Sequence, residues 1–435
     1  MLVATESQHE DWSADYRAFS RAEWNAQKLF DIPKRRVLSW IPAESPIIAA
    51  LDDTKLQKTG RKIPGVSYQR DPMSPPFHTN LIRAQRFVQI SVTVPLKSES
   101  VSPVRAFPVA FEHSPPPAKP LHTATEEEHK QYRVKQRTQN LSQTGVRMIT
   151  NLRRDYDSLG QTERKLVMTV DGSYTNKSVL RNLPDRTAMI GRIRKDAKFF
   201  YAPEIQPERG RKRLYGNKAP TPEQLRVDES NIWQPVEAFA AGRQHTFNVK
   251  TIDNLLWPKA GVKLPVRLIV IRPLGYRLTK SGRTLYRQPA YLICTDPDLS
   301  LQQIIQWYVW RWEIEVNHRD EKQLIGVGQA QVRSEKAVER VPAFAVASYS
   351  MLLVASALCN GIDARVPIIE PPKWRTKAVG QQIRLTTGQI IEQFQKTPTV
   401  FMAHPNSPEN LRHFAYKKHK HAKYQKIETV HSRAS

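Results

Sequence analysis

Trp307-Tyr308-Val309-Trp310-Arg311-Trp312-Glu313-Ile314-Glu315-Val316-Asn317-His318-Arg319-Asp320-Glu321-Lys322 is the stretch from which the rest of the chain is read. It holds no glycine or proline and follows Asp298-Leu299-Ser300, a favourable start, so a helix is expected over about residues 300–324. At about 100° per residue, Tyr308, Arg311, Glu315 and Lys322 share one stripe roughly 60° wide, and Trp307, Trp310, Ile314 and Ile325 form an apolar stripe beside it. One side is fitted to a core, and next to it runs a row carrying a phenol, a guanidinium, a carboxylate and an ammonium. Glu313 points about 160° away from Glu315, so only Glu315 joins that row. The plainer account of the row is a solvated face with an internal pair, Arg311 with Glu315 at i,i+4.

Two segments upstream end in acids. Pro46-Ile47-Ile48-Ala49-Ala50-Leu51-Asp52-Asp53-Thr54 and Lys165-Leu166-Val167-Met168-Thr169-Val170-Asp171-Gly172 each read as a buried strand with carboxylates at its tip. Between them, strands are expected over residues 87–96 and 104–111, then a proline-rich loop over 114–120, then one long charged helix over about 125–159. A short helix follows Gly172, and a further strand spans 187–193. This order of strand, strand, strand, helix, strand, helix, strand is that of a ribonuclease H-like core, an α/β fold with a mixed sheet flanked by helices.

Residues 203–226 interrupt the pattern with prolines around the basic run Arg209-Gly210-Arg211-Lys212-Arg213. Strands are expected at 246–249, 266–271 and 291–295, with a hairpin at Lys280-Ser281-Gly282. The expected organisation is a helical segment over 1–44, whose run over 11–31 stops at Pro33, and core over 45–202. A β-rich insertion over 203–290 then precedes the last helix, core resumes over 291–360, and a basic segment fills 361–435. The apolar run 341–359 is expected as a buried core helix rather than a membrane span.

Two carboxylates on neighbouring strand tips and a third on a helix crossing the sheet suit a pair of Mg²⁺ ions about 3.5–4 Å apart, because Mg²⁺ takes oxygen ligands and phosphate completes its shell. Asp52, Asp171 and Glu315 have those positions. Asp53 competes with Asp52, since adjacent strand residues point to opposite faces. Arg311 can fork onto a phosphate, Lys322 offers a point charge, and Tyr308 can donate to or stack near DNA. Trp257 and Trp233 are the aromatics of the insertion that could receive a base, with a core or hairpin role at least as well suited to each; Trp257 is the one named, because Leu255-Leu256-Trp257-Pro258 sits at a loop edge. The 67 Lys+Arg against 41 Asp+Glu give a net charge of +26, which favours nucleic acid as partner over an anionic membrane surface. Two cysteines exclude a disulfide framework or a cysteine-rich zinc site and fit a reducing cytoplasm. The first ten residues lack the charged start and apolar run of a signal peptide. No H-E-x-x-H, G-x-S-x-G or C-x-x-C pattern occurs, and the loop at Gly60 has Val66 where a phosphate-binding lysine belongs.

The spacing Y-x2-R-x3-E-x6-K, with the two upstream aspartates, resembles bacterial DDE-type insertion-sequence transposases of the insertion sequence four type, over roughly residues 45–360. The resemblance implies cleavage and joining of an element's DNA ends, cut-and-paste through a hairpin, with Mg²⁺ and with Mn²⁺ as a substitute. It implies a homodimer on the element's ends and target DNA, in the cytoplasm on the nucleoid and away from membranes. It gives Tyr308, Arg311 and Lys322 a grip on the DNA end, favours Asp52 over Asp53 through its Asp-x-Thr pattern, and assigns a flipped base to a tryptophan of the insertion. Many of those transposases begin with a longer helical domain that reads the end sequence; about 45 residues precede the first strand here, so that reading is expected elsewhere or in a longer chain. Two alternatives stand: a transposase-derived protein that binds DNA ends without cutting, and a two-metal nuclease that does not join.

Overall fold

The central strand of the fold, β1 (Ile47–Gln57), begins as the fully buried run Ile47-Ile48-Ala49-Ala50-Leu51, because both of its faces are covered. The structure is a computed structural model that describes residues 11–363 and 384–396, apart from residues 12, 72–73, 76, 98–100, 205, 207–208 and 277–281. The basic segment after residue 396, including the run at 417–423, lies outside the described residues, as do residues 1–10, Lys280 and Ser281. After β1 come β2 (Ser67–Arg70), β3 (Leu81–Pro95) and β4 (Val104–His113), then β5 (Leu166–Val170) and β6 (Thr187–Arg192). β3 pairs antiparallel with β1 and β4, whereas β1, β5 and β6 run parallel, so these strands lie in the order β4-β3-β1-β5-β6. That is the ribonuclease H-like arrangement, in a mixed α/β molecule.

The strands of the middle region do not stand apart. β7 (Gln234–Ala240), β8 (Arg243–Leu255), β9 (Val266–Ile271) and β12 (Ala290–Cys294) continue the same sheet through β6-β12-β9-β8-β7, making ten strands among the described residues. A two-stranded ribbon of β10 (Gly275–Tyr276) and β11 (Leu285–Tyr286) brackets the expected hairpin.

Helices cover both faces. In the N-terminal part lie α1 (Ser13–Ser20) and α2 (Asp31–Leu38); Pro33 falls in the first turn of α2, where its missing N–H costs nothing, so it does not end a helix there as expected. The single helix expected over 125–159 is two, α3 (Glu126–Thr138) and α4 (Leu141–Ser158). Asn140 caps α4 by accepting from the Gln143 N–H at 3.1 Å, a local bond that competes with helix continuation. Two short helices follow, α5 (Lys177–Leu180) and α6 (Pro222–Val227).

The sheet's alternation decides what each face meets. Ile47, Ala49 and Leu51 of β1 join Met148, Ile149, Leu152 and Tyr156 of α4 in the larger core. Ile48 of β1 and Val167 of β5 face the other way, against Ile304, Ile305, Trp307 and Trp310 of α7 (Leu301–Trp310). α7 leads through Arg311 into α8 (Trp312–Asp320). α9 (Glu335–Asn360) packs on β4 and the N-terminal helices, with Ala343, Val346 and Ala347 against Phe30, Phe87 and Phe111. By length and composition α9 could cross a membrane; half of its most apolar window is buried within the protein, the core-helix placement expected of it. α10 (Thr387–Lys396) sits beside it.

Candidate active site

The two aspartates meet because β1 and β5 are parallel and in register. Leu51 pairs with Val170, so Asp52 and Asp171 follow side by side at the ends of the paired segment. β1 continues past this point on β3 alone, where Asp52 lies opposite Gln89. Strand alternation then sorts the acids. Asp52 shares the parity of Ile48 and Asp171 that of Val167, both on the face covered by α7 and α8. Asp53 shares the parity of Leu51 and points to the opposite face, where Tyr174 is fully buried. Asp171 is fixed by its own turn: Oδ1 accepts from the Ser173 N–H at 2.9 Å and Oδ2 from the Ser173 hydroxyl at 3.2 Å.

The helix that crosses this face starts where expected. Ser300 and Gln303 cap it reciprocally. It then departs from uniform geometry. At Arg311 it tightens, with the Arg311 N–H donating to Tyr308 O at 3.2 Å and the Ile314 N–H to Arg311 O at 3.1 Å. After Asp320 it widens into a π-turn over Glu321–Ile325, closed by Gly326 in the left-handed conformation at φ 74°. The apolar stripe is nonetheless buried at Trp307, Trp310 and Ile314. Asn317 pins α8 to the sheet, its amide donating to the Ser91 hydroxyl at 3.1 Å and to Ala106 O at 3.3 Å.

Arg311 occupies the centre. Its Nη2 donates to Glu315 Oε1 at 2.9 Å, its Nη1 lies 3.5 Å from Asp52 Oδ2, and its guanidinium stands 5.8 Å from the centre of the Tyr308 ring. The intrahelical pair with Glu315 thus forms, and the same side chain also reaches the first strand. Burial lifts the Asp52 pKa to about 6; the positive charges of His318 and Arg311 oppose this, and Asp171 and Asp53 add to it. Burial also raises the Asp53 pKa, with Arg86 opposing. Lys322 reaches solvent beyond Glu315 and lies close enough for Glu321 and Asp52 to counter the lowering of its pKa by partial burial. Glu313 points away from the acids, with Oε2 paired to Arg384 at 2.6 Å.

Trp257 is 4% exposed, tilted against Phe199 at 5.6 Å, with the Lys259 ammonium 5.2 Å from its ring. It lines a cavity of about 680 Å³ that begins at Gly172, next to Asp171, and also takes in Arg192, Arg194, Lys198 and Lys259. Trp233 has its ring under the Lys250 ammonium at 4.5 Å. His318 escaped the sequence reading although it follows Glu315 by one turn. At about −80° from Tyr308 it borders the polar stripe, and that angle was the available signal.

A family profile described as DDE superfamily endonuclease matches residues 3–254, more than half of the chain. The chain belongs to the DDE superfamily endonucleases. The matched span holds Asp52 and Asp171 and stops before α7. No match was found among curated proteins. Membership places the protein among endonucleases that act on DNA, and enzymes of this superfamily generally use divalent metals. Among the described residues, no three of His, Cys, Asp and Glu stand close enough together to clasp an ion as they are. Arg311 stands between Asp52 and Glu315 instead. The donor set still fits a hard divalent cation: three carboxylates on one face, one of them raised by burial to a pKa of about 6 despite the neighbouring positive charges.

The burial of Asp52 has a measurable consequence. Between the ordinary aspartate value of 3.8 and about 6, the folded chain holds a proton on Asp52 that the unfolded chain releases. Stability therefore falls as pH rises through this window. In chelator, the wild type is expected to lose on the order of 2–3 kcal/mol relative to Asp52→Asn between about pH 4 and 6. Denaturant melts that stay parallel for the two proteins across this range would contradict the assignment.

Proposed function

We propose that this DDE superfamily endonuclease is a transposase that cuts and joins the DNA ends of an insertion sequence, with Asp52, Asp171 and Glu315 as its metal-binding carboxylates. The observation that supports it most is the fork of Arg311, which ties Glu315 of α8 to Asp52 of β1 on the sheet face that Asp171 shares. Mg²⁺, when bound by these three, supplies polarisation of the phosphoryl oxygens and an activated nucleophile at neutral pH, with Mn²⁺ able to replace it. The protein's own groups then orient the DNA. Arg311 presents a planar fork for a phosphate once it leaves a carboxylate, Lys322 adds a point charge, and the Tyr308 phenol supports the guanidinium or the sugar-phosphate chain. Trp257 bounds the basic cavity beside Asp171 and is proposed as a surface for an unstacked base. The net charge of +26 suits binding of the element's ends and target DNA by a homodimer, and the hairpin route is part of the proposal.

The test is a duplex carrying the element's end, incubated with Mg²⁺ and a target plasmid. Nicked ends together with plasmid-joined products are expected. Nicks without joining would reduce the protein to a nuclease, and binding without either product would make it a silent end-binding protein.

A further inference from the structure

Beneath the helix that carries Glu315 lies a buried pair outside the three acids. His318 is 7% exposed and Glu321 1% exposed. The imidazole Nδ1 stands 3.3 Å from Glu321 Oε2, while His318 Nε2 and Glu321 Oε1 are buried with no partner. Such atoms are costly to strand, so a group that they serve is expected nearby. Their surroundings point to it. Asn317, the preceding residue, is held over β3 by Ser91, and Ser91 also accepts from the Gln89 amide at 3.1 Å. Gln89 lies directly opposite Asp52, so α8 is registered with His318 above the β1–β3 seam at the level of Asp52. His318 is seven residues after Arg311, so it lies on the same side of the helix two turns beyond the residue that reaches Asp52. Glu321 begins the π-turn, a geometry often found at functional sites.

We propose that His318, clamped through Nδ1 by Glu321, is a positioning residue for Asp52, its unpartnered Nε2 taking up the Asp52 carboxylate as a hydrogen-bond donor when Arg311 leaves it, and so keeping that side chain on the face of Glu315 and Asp171. The electrostatics agree: of the charges that oppose the burial of Asp52, His318 exerts the strongest pull, ahead of Arg311. A second fixed donor would hold the carboxylate in place when Arg311 turns to a phosphate. Glu321 fixes the ring plane, the role that carboxylates play behind many functional histidines. The inference rests on the proposed role of Asp52.

The test uses three variants of the full chain. Glutamine carries an N–H₂ where histidine has Nε2, asparagine where it has Nδ1, and leucine carries neither. His318→Gln is expected to nick an end duplex within about threefold of wild type. His318→Asn and His318→Leu are expected to lose on the order of tenfold to a hundredfold in kcat, with KM for the duplex little changed, as for a lost hydrogen bond to a charged group. Mn²⁺ affinity, followed by electron paramagnetic resonance in the absence of DNA, should weaken by about tenfold in the leucine variant and hold in the glutamine variant. Equal activity and Mn²⁺ affinity across the variants, or losses in all three that follow only their melting temperatures, would overturn the inference. Asp52→Asn separates it from the reading beneath. If that variant loses Mn²⁺ while His318→Leu keeps it, the role of His318 alone is wrong; if Asp52→Asn keeps Mn²⁺, both fall.

Discussion

Glu315→Gln is expected to abolish cutting and joining, with a loss on the order of a thousandfold or more, while the protein still binds a DNA end at least as tightly as wild type. An amide keeps the shape of the side chain but removes the charge that would hold a divalent cation, and several kcal/mol of transition-state stabilisation go with it. Binding persists because the variant repels phosphate less. Asp52→Asn and Asp171→Asn are expected to behave alike, since their carboxylates share the sheet face that Glu315 approaches. Glu313→Gln is the control. Its carboxylate is turned away to Arg384, so it should cut within a few-fold of the wild-type rate. Single-turnover cleavage of a labelled end duplex separates the four. A dead Glu313→Gln beside an active Glu315→Gln would mean that the helix presents its other side to the DNA.

Arg311→Ala should carry the next largest effect, and on two readouts at once. The guanidinium is 13% exposed and neutralises Asp52 and Glu315 together. Removing it strands the Asp52 carboxylate in a site that already resists ionisation. Breaking a buried pair can cost 3–5 kcal/mol, and with Glu315 about a third exposed the loss here is expected at about 1–3 kcal/mol in chelator. Added Mg²⁺ should recover part of the lost melting temperature, because a cation then balances the same carboxylates. Cleavage should fall on the order of a hundredfold or more, since Arg311 is also the proposed phosphate fork. Arg311→Lys is not expected to rescue it, as an ammonium cannot span two partners as the planar fork does. Full cleavage by Arg311→Ala, or a melting temperature indifferent to both the substitution and the metal, would assign the side chain to the solvated face alone.

The helix and the strand tips were legible because each carries a strong periodic signal. Ile47 to Leu51 is an uninterrupted apolar run and Leu166 to Val170 is broken only by Thr169, and runs of that kind are buried on both faces. What the residues could not show was which of Asp52 and Asp53 faces the helix, because parity is defined only against a neighbour; the pairing of Ile48 and Leu51 with different cores supplies it. The break at Asn140 was hidden because the sequences on either side favour helix, and one side-chain cap divides them. His318 was passed over because a uniform helix puts it at the edge of the stripe, whereas its burial and the π-turn after it belong to the folded chain. Trp257 looked like a loop-edge aromatic; Phe199, far away in sequence, encloses it. The continuation of the core sheet into β7, β8 and β9 depends on long-range pairing of β12 with both β6 and β9, for which no local pattern exists.

The most direct test of the central claim is the anomalous diffraction of Mn²⁺ in crystals of the protein bound to an end duplex. The account predicts Mn²⁺ ligated by Asp52 and Asp171, and by Asp52 and Glu315, with Arg311 turned from the carboxylates to a DNA phosphate. Mn²⁺ absent from these three residues, with Arg311 still bridging Asp52 and Glu315 while a cleavable phosphate lies elsewhere, would contradict it.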